Sequence, residues 1–333
     1  MRRTFCKSML LAAVTGAGLC WSTVARADTW EPEVWVINTR CAPRASVSAD
    51  ADKRIRCCRR TADGRWERTS REQLLAPSEP AVPTAVFVHG NRDDTRSALA
   101  DGLRLLSVLR CQRAPGPFRF VIWSWPSDRI RGSNRVDVRL KAAYSDVQGY
   151  YLADFLRRID PEVPVGLVGY SFGARVVTVA LHLLDGGRLC GRVLPPLSDD
   201  SAASKQGNSV DGIPRRQAVL IAAAIDAHWL VPGQRHGRAL TQVERLLVTR
   251  NVCDPVLRYY PLMYRRGGPQ ALGYTGAVCG RADLDRVEMV DVSPTVGRAH
   301  GWADYLAAPV LRRRLVRYTY ADWQPPGREA ATE

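Results

Sequence analysis

The chain has 333 residues, of which 48 are Lys or Arg and 33 Asp or Glu, a formal net charge of +15. That length suffices for one large domain with a full core. After the first residues no run reaches the ~18 unbroken apolar positions of a membrane-spanning helix. Lysine occurs only at 7, 53, 141 and 205, so arginine carries nearly all the positive charge, and the dense clusters Arg56/Arg59/Arg60 and Arg312 to Arg317 lack the interleaved aromatics of a nucleic-acid groove. No nucleic-acid partner is expected; weak association with anionic envelope surfaces is the expectation that charge leaves open.

Residues 1–27 read as a cleaved export signal. Arg2, Arg3 and Lys7 form a basic start, Met9 to Trp21 an apolar middle, and Ala25-Arg26-Ala27 an A-x-A site. The basic start resembles a twin-arginine signal, and the expected address is the periplasm. Cleavage after Ala27 leaves 306 residues and removes four positive charges, for a net +11. Seven cysteines remain (41, 57, 58, 111, 190, 253 and 279), an odd number. In an oxidising compartment some are expected to pair, with Cys41 to Cys57 or Cys58 and Cys253 to Cys279 as candidates. No spacing matches a zinc site.

In the expected mature chain, residues 28–320 form one domain and 321–333 a polar tail. N-terminal strands are expected within 30–70, at Val34 to Ile37 and Arg54 to Arg60, around a polar loop from Pro43 to Asp52. Pro77 to Pro83 link into a central strand, Ala85 to Val88. Asp93 and Asp94 cap a helix with Leu99, Leu103, Leu106 and Leu109 on its inner face. A strand over Phe118 to Trp123 follows, then a longer helix with Leu140, Ala143, Val147, Tyr151 and Phe155 inward. Val163 to Val168 is a buried strand, and Val176 to Leu184 a helix apolar on nearly every side, stopped by Gly186-Gly187. A polar insertion at 194–215 precedes strands at Val219 to Ile225, Leu246 to Val248 and Val287 to Val292. A helix over Tyr305 to Tyr318 closes the domain. Strands alternating with helices imply an α/β fold with a doubly wound, mostly parallel sheet.

Between the strand ending at Val168 and the following helix stands Gly169-Tyr170-Ser171-Phe172-Gly173, the G-x-S-x-G pattern that holds a nucleophilic serine on a strained strand-to-helix turn. A serine hydroxyl needs a base to take its proton, and that base an acid to fix its tautomer. Among His89, His182, His228, His236 and His300, only His300 follows the last strand. The acid is expected at Asp254, after the penultimate strand, with Asp226 one strand earlier as its alternative. The oxyanion of a tetrahedral intermediate needs preorganised donors; the candidates are the backbone N–H groups of Phe172 and Asn91. His89, Gly90, Tyr170 and Trp125 are further candidates to line the site. Trp123, Phe172, Tyr259 and Tyr260 join them as walls of an acyl or aromatic pocket, or else belong to the core.

Taken together, Val88-His89-Gly90-Asn91, Trp123-Ser124-Trp125-Pro126-Ser127, Gly169 to Gly173, Asn251 to Asp254 and His300 resemble the α/β-hydrolase superfamily. The likeness is greatest to its bacterial branch of exported, esterase- or lipase-like proteins, and it spans residues 84 to 318. It implies hydrolysis of a small-molecule carboxylic ester through a Ser171 acyl-enzyme, with no metal or organic cofactor. Because folds host many functions, a non-catalytic binding module of the cell envelope on the same fold is the alternative expectation.

Overall fold

The computed structural model describes residues 31–47, 51–78, 81–112, 117–196, 215–264 and 267–319. The export signal, the core of the polar insertion and the C-terminal tail lie outside the described residues. The frame is one nine-stranded sheet, built from β1 (Glu33–Asn38), β2 (Arg56–Arg60), β3 (Trp66–Thr69), β4 (Thr84–Val88), β5 (Arg119–Ser124), β6 (Val165–Tyr170), β7 (Arg216–Ile221), β8 (Arg245–Arg250) and β9 (Val287–Asp291). Their order is β3-β2-β1-β5-β4-β6-β7-β8-β9. From β1 to β9 every neighbouring pair is parallel. Only the edge ribbon β1-β2-β3 is antiparallel. The fold is α/β with a mostly parallel sheet.

Every residue of β4 and β6 is buried, because helices cover both faces of the sheet centre. The sheet helices are α3 (Thr95–Gln112), α4 (Asn134–Leu156) and α5 (Phe172–Leu184), preceded in the chain by the short α1 (Ala51–Arg54) and α2 (Arg71–Leu75). Short helices α6 (Pro255–Arg258), α7 (Leu272–Thr275) and α8 (Ser293–Val296) sit in the loops around β8 and β9, and α9 (Trp302–Ala307) and α10 (Pro309–Thr319) close the domain. Strand order reverses at β4: the chain moves one way to β5 and the other way to β6. In open α/β sheets that reversal opens a crevice at the carboxyl ends of the strands, and both Asn91 and Ser171 lie just past those ends.

Helix faces depart from the expectation in instructive ways. In α3 the Asp94 carboxylate caps the helix by accepting from Ser97 N–H at 2.7 Å, but the fully buried line is Ala98, Leu105 and Leu109, with Leu99 and Leu103 only partly covered. In α4, Leu140 is exposed and so is Ala143, while Asp137, Lys141, Asp146 and Gln148 are buried. Those polar groups are paired rather than excluded: Arg175 of α5 forms two bonds to Asp146, at 2.9 and 3.0 Å. The expected closing helix is two helices, because Pro309 cannot continue α9 and turns Ala308 extended. The expected strand through Ile225 ends at Ile221, since Ala222 turns into the left-handed region at φ 48°.

All seven cysteines among the described residues are free thiols. Cys57 and Cys58 are neighbours in β2 and face opposite sides of the sheet. Burial pushes the Cys57 thiol up to about 12. Among the described residues no helix is long and apolar enough to cross a membrane.

Candidate active site

The turn from β6 into α5 holds Ser171 at φ 53° and ψ −114°, a conformation costly for any side-chain-bearing residue. Two glycines make the turn feasible by close approach. A Cβ at Gly169 would lie 2.7 Å from the backbone of Ala174, and one at Gly173 would drive into the carbonyl oxygen of Val88 at the end of β4. The turn is also clamped from the end of β7 and the residues just past it, as Ser171 N–H donates to Ile221 O at 2.9 Å and Ala224 N–H donates to Ser171 O at 3.3 Å. Phe172 opens α5, so its N–H has no acceptor within the helix.

Three side chains, 83 and 46 residues apart in order, meet at this turn. Ser171 Oγ lies 3.3 Å from His300 Nε2, and His300 Nδ1 lies 2.7 Å from Asp254 Oδ2. A carboxylate only accepts, so the proton of neutral His300 sits on Nδ1, and Nε2 presents its lone pair to the serine hydroxyl. Ser171 is 6% exposed and Asp254 fully buried. The loop before His300 is fastened to the loop carrying Asp254 by Asn251 Nδ2, which donates to Gly297 O at 2.9 Å. The hydroxyl of Tyr170, next to the serine, donates to the backbone carbonyl of His300. Its ring packs on Trp302, centroids 5.1 Å apart.

Asp254 carries two loads. Its Oδ1 caps α6, accepting from the N–H groups of Val256 at 2.9 Å and Leu257 at 3.2 Å. Its Oδ2 accepts from His300 and from the hydroxyl of Tyr305, the latter at 2.7 Å. Burial, then the Asp254 charge, pushes the Tyr305 hydroxyl well above the ordinary tyrosine range, so it stays a donor. The alternative acid, Asp226, faces elsewhere: its Oδ1 accepts from the hydroxyls of Tyr260 and Tyr264. Burial and that carboxylate push Tyr264 up to about 12.

The turn after β4 packs against the serine. A Cβ added at Gly90 would stand 2.9 Å from the Tyr170 ring and 3.4 Å from Ser171 Cβ. His89 is fully buried beneath this turn. Its Nε2 accepts from Trp125 N–H at 3.1 Å and its Nδ1 lies 3.0 Å from Gly90 O. Trp125 is also fully buried, stacked 5.7 Å from the His89 ring and donating Nε1–H to His89 O at 2.8 Å. His89 and Trp125 therefore support the turn instead of lining an open site, a correction to the expectation for both. Trp123 and Tyr260 are likewise core.

Two contributors escaped the sequence reading, Tyr305 and Asp137. Buried at the start of α4, Asp137 accepts from Arg92 Nε at 3.2 Å and from Asn91 Nδ2 at 3.5 Å, and so gathers both residues of the turn after β4. Its other oxygen accepts from Ile130 N–H at 3.0 Å and Lys141 Nζ at 3.2 Å. Burial alone would raise its pKa, but these donors outweigh it and hold the carboxyl below its ordinary value. The available signal was Asp137 and Lys141 at i and i+4, a charged pair on the face that α4 turns inward. Arg92 takes φ 70°, a second left-handed residue in the site.

Such an arrangement can move a proton from a serine hydroxyl to an imidazole held by a buried carboxylate, beside the N-terminus of α5 and the turn after β4. Among the described residues no group of three His, Cys, Asp or Glu side chains gathers to hold a metal ion. Compared with known proteins, the chain matches no family model and no curated sequence.

Proposed function

We infer that this protein is a serine hydrolase of the α/β-hydrolase type that cleaves a carboxylic ester. The observation that carries the reading is the hydrogen-bonded line from Ser171 through His300 to Asp254, 3.3 and 2.7 Å long, on a strained turn at the sheet's reversal point. In the proposed reaction Ser171 Oγ attacks the ester carbonyl carbon while His300 Nε2 takes its proton. The oxyanion is met by the N–H groups of Phe172 and Asn91. Collapse breaks the bond to the alkoxide, which leaves as an alcohol with the proton from His300. Water then repeats the sequence on the acyl-enzyme and frees the acid. Asp254 keeps His300 in the accepting tautomer and stabilises its cation, and Tyr305 and Asp137 act as positioning residues. Export to the periplasm, with cleavage after Ala27, belongs to the same proposal.

The test is covalent labelling of the folded protein with a fluorophosphonate probe. Modification at Ser171 that vanishes in Ser171→Ala supports the reading. Absence of labelling in the folded protein would overturn it in favour of a non-catalytic envelope-binding module.

A further inference from the structure

Beside the candidate site the surface is apolar and basic at once. On α4 the positions 135, 136, 139, 140 and 143 fall on one contiguous arc of the helix, opposite the buried 137, 141 and 145. That arc exposes Val136, at 52%, and Leu140 alongside Arg135 and Arg139. The segment after Asp254 adjoins it, because Arg139 Nε donates to Met263 O at 3.1 Å. It exposes Tyr259 at 61% and Leu262 at 52%, with Arg258 beside them. The loop entering α4 is bound to it through Ile130 N–H and Asp137 and adds exposed Arg129 and Arg131. Across 129–143 and 255–264 the only carboxylate is Asp137, which is buried and already paired, and Asp128 at the edge is taken by Arg40 at 2.7 Å. Contiguous exposed apolar patches rimmed by polar residues mark interaction sites. Hydrophobes set among unopposed arginines suit a partner that is anionic at its surface and apolar just beneath.

We propose that this face, centred on Val136, Leu140, Tyr259 and Leu262 and ringed by Arg129, Arg131, Arg135 and Arg258, docks on an anionic lipid bilayer. The arginines meet the headgroup phosphates and the hydrophobes enter the headgroup–acyl boundary. Asn91 Nδ2 donates to Asp137 on one side, and Val256 lies two residues past Asp254 on the other, so the face borders the candidate site. The docking claim goes beyond the hydrolase reading and does not depend on it.

Co-sedimentation of the full chain with vesicles of phosphatidylcholine alone, or mixed with phosphatidylglycerol, tests the proposal. Binding is expected only to the mixed vesicles, and to weaken in high salt as headgroup charge is screened. Arg131→Ser with Arg135→Ser is expected to lower the partition coefficient about 25-fold, roughly fivefold per arginine. Tyr259→Ser with Leu262→Ser should lower it at least about tenfold, each pair keeping the wild-type melting profile. Ser171→Ala should bind as the wild type does, which separates this proposal from the chemistry at Ser171. Equal binding to neutral vesicles, or none to anionic ones, would overturn the proposal. So would loss of binding in Arg313→Ser with Arg317→Ser on α10 but not in the face variants, or binding to heparin or DNA without binding to vesicles.

Discussion

Replacing Asp254 by asparagine exchanges one carboxylate oxygen for an NH2 group and tests the proposed line of proton transfer. The amide has one accepting oxygen, and two sets of donors compete for it. If the oxygen stays at Oδ1, it keeps the bonds from Val256 and Leu257 N–H that cap α6. The amide nitrogen then stands where Oδ2 was, 2.7 Å from His300 Nδ1. Its N–H forces the imidazole proton onto Nε2, which then points a donor at Ser171 Oγ and cannot accept. The opposite flip would restore the tautomer but set an NH2 group against two backbone donors, forfeiting the two hydrogen bonds that make up the cap, at about 1 kcal/mol each. The inactive arrangement is therefore favoured, and turnover on a soluble chromogenic ester should fall by about 10⁴-fold, or roughly 5 kcal/mol in the barrier. Stability should fall by only about 1–2 kcal/mol in urea denaturation. In Asp226→Asn the remaining oxygen can still accept from Tyr260 and Tyr264, so activity should stay within about threefold of wild type. Retention of more than about a tenth of wild-type activity in Asp254→Asn, with the fold intact, would refute the argument, as would collapse of activity in Asp226→Asn instead.

Gly173→Ala should cost about 3 kcal/mol in chemical denaturation, because its Cβ meets the rigid carbonyl of Val88 and not a yielding side chain. Arg175→Met should cost about 3 kcal/mol by the same assay. That is the low end for breaking a buried pair, because Arg235 still reaches Asp146 at 2.7 Å. Burial, with Asp93 nearby, raises the Asp101 carboxyl to about 6 from an ordinary 3.8. Between those values the unfolded chain gives up this proton and the folded one keeps it, so stability falls as pH rises through that window and stays reduced above it. Asp101→Asn should accordingly match wild type near about pH 4 and exceed it near about pH 7, read as urea midpoints.

Ser171 and His300 were legible because each is marked locally, the first by its flanking glycines and the second by its place after the last strand. The sequence favoured Asp254 over Asp226 by its place after the penultimate strand, but left both open, since both follow strands and both precede residues they might cap. The coordinates separate them: Asp254 lies 2.7 Å from His300 Nδ1, while two tyrosines close over Asp226. The alternation of strands and helices disclosed a parallel sheet, but not that β1 would pair with β5 in the same direction and return through two antiparallel strands. Apolar periodicity placed Val147, Tyr151 and Phe155 of α4 inward as the structure has them, but misread its first half at Leu140 and Ala143, since a count of Leu, Ala and Val cannot see that Asp137, Lys141 and Asp146 are buried with partners in other elements. The same blindness placed Trp125 in the site: a tryptophan near the turn reads as a wall until its indole N–H is found bonded beneath it.

The left-handed backbone at Ser171 has a thermodynamic corollary. Glycine would occupy that bend with little penalty, whereas a side chain there forfeits on the order of 1–3 kcal/mol. The native ensemble is thus less robust than its own scaffold permits, and the deficit is concentrated at the one hydroxyl that the surrounding clamps hold toward His300. Robustness and reactivity are opposed at a single Cα.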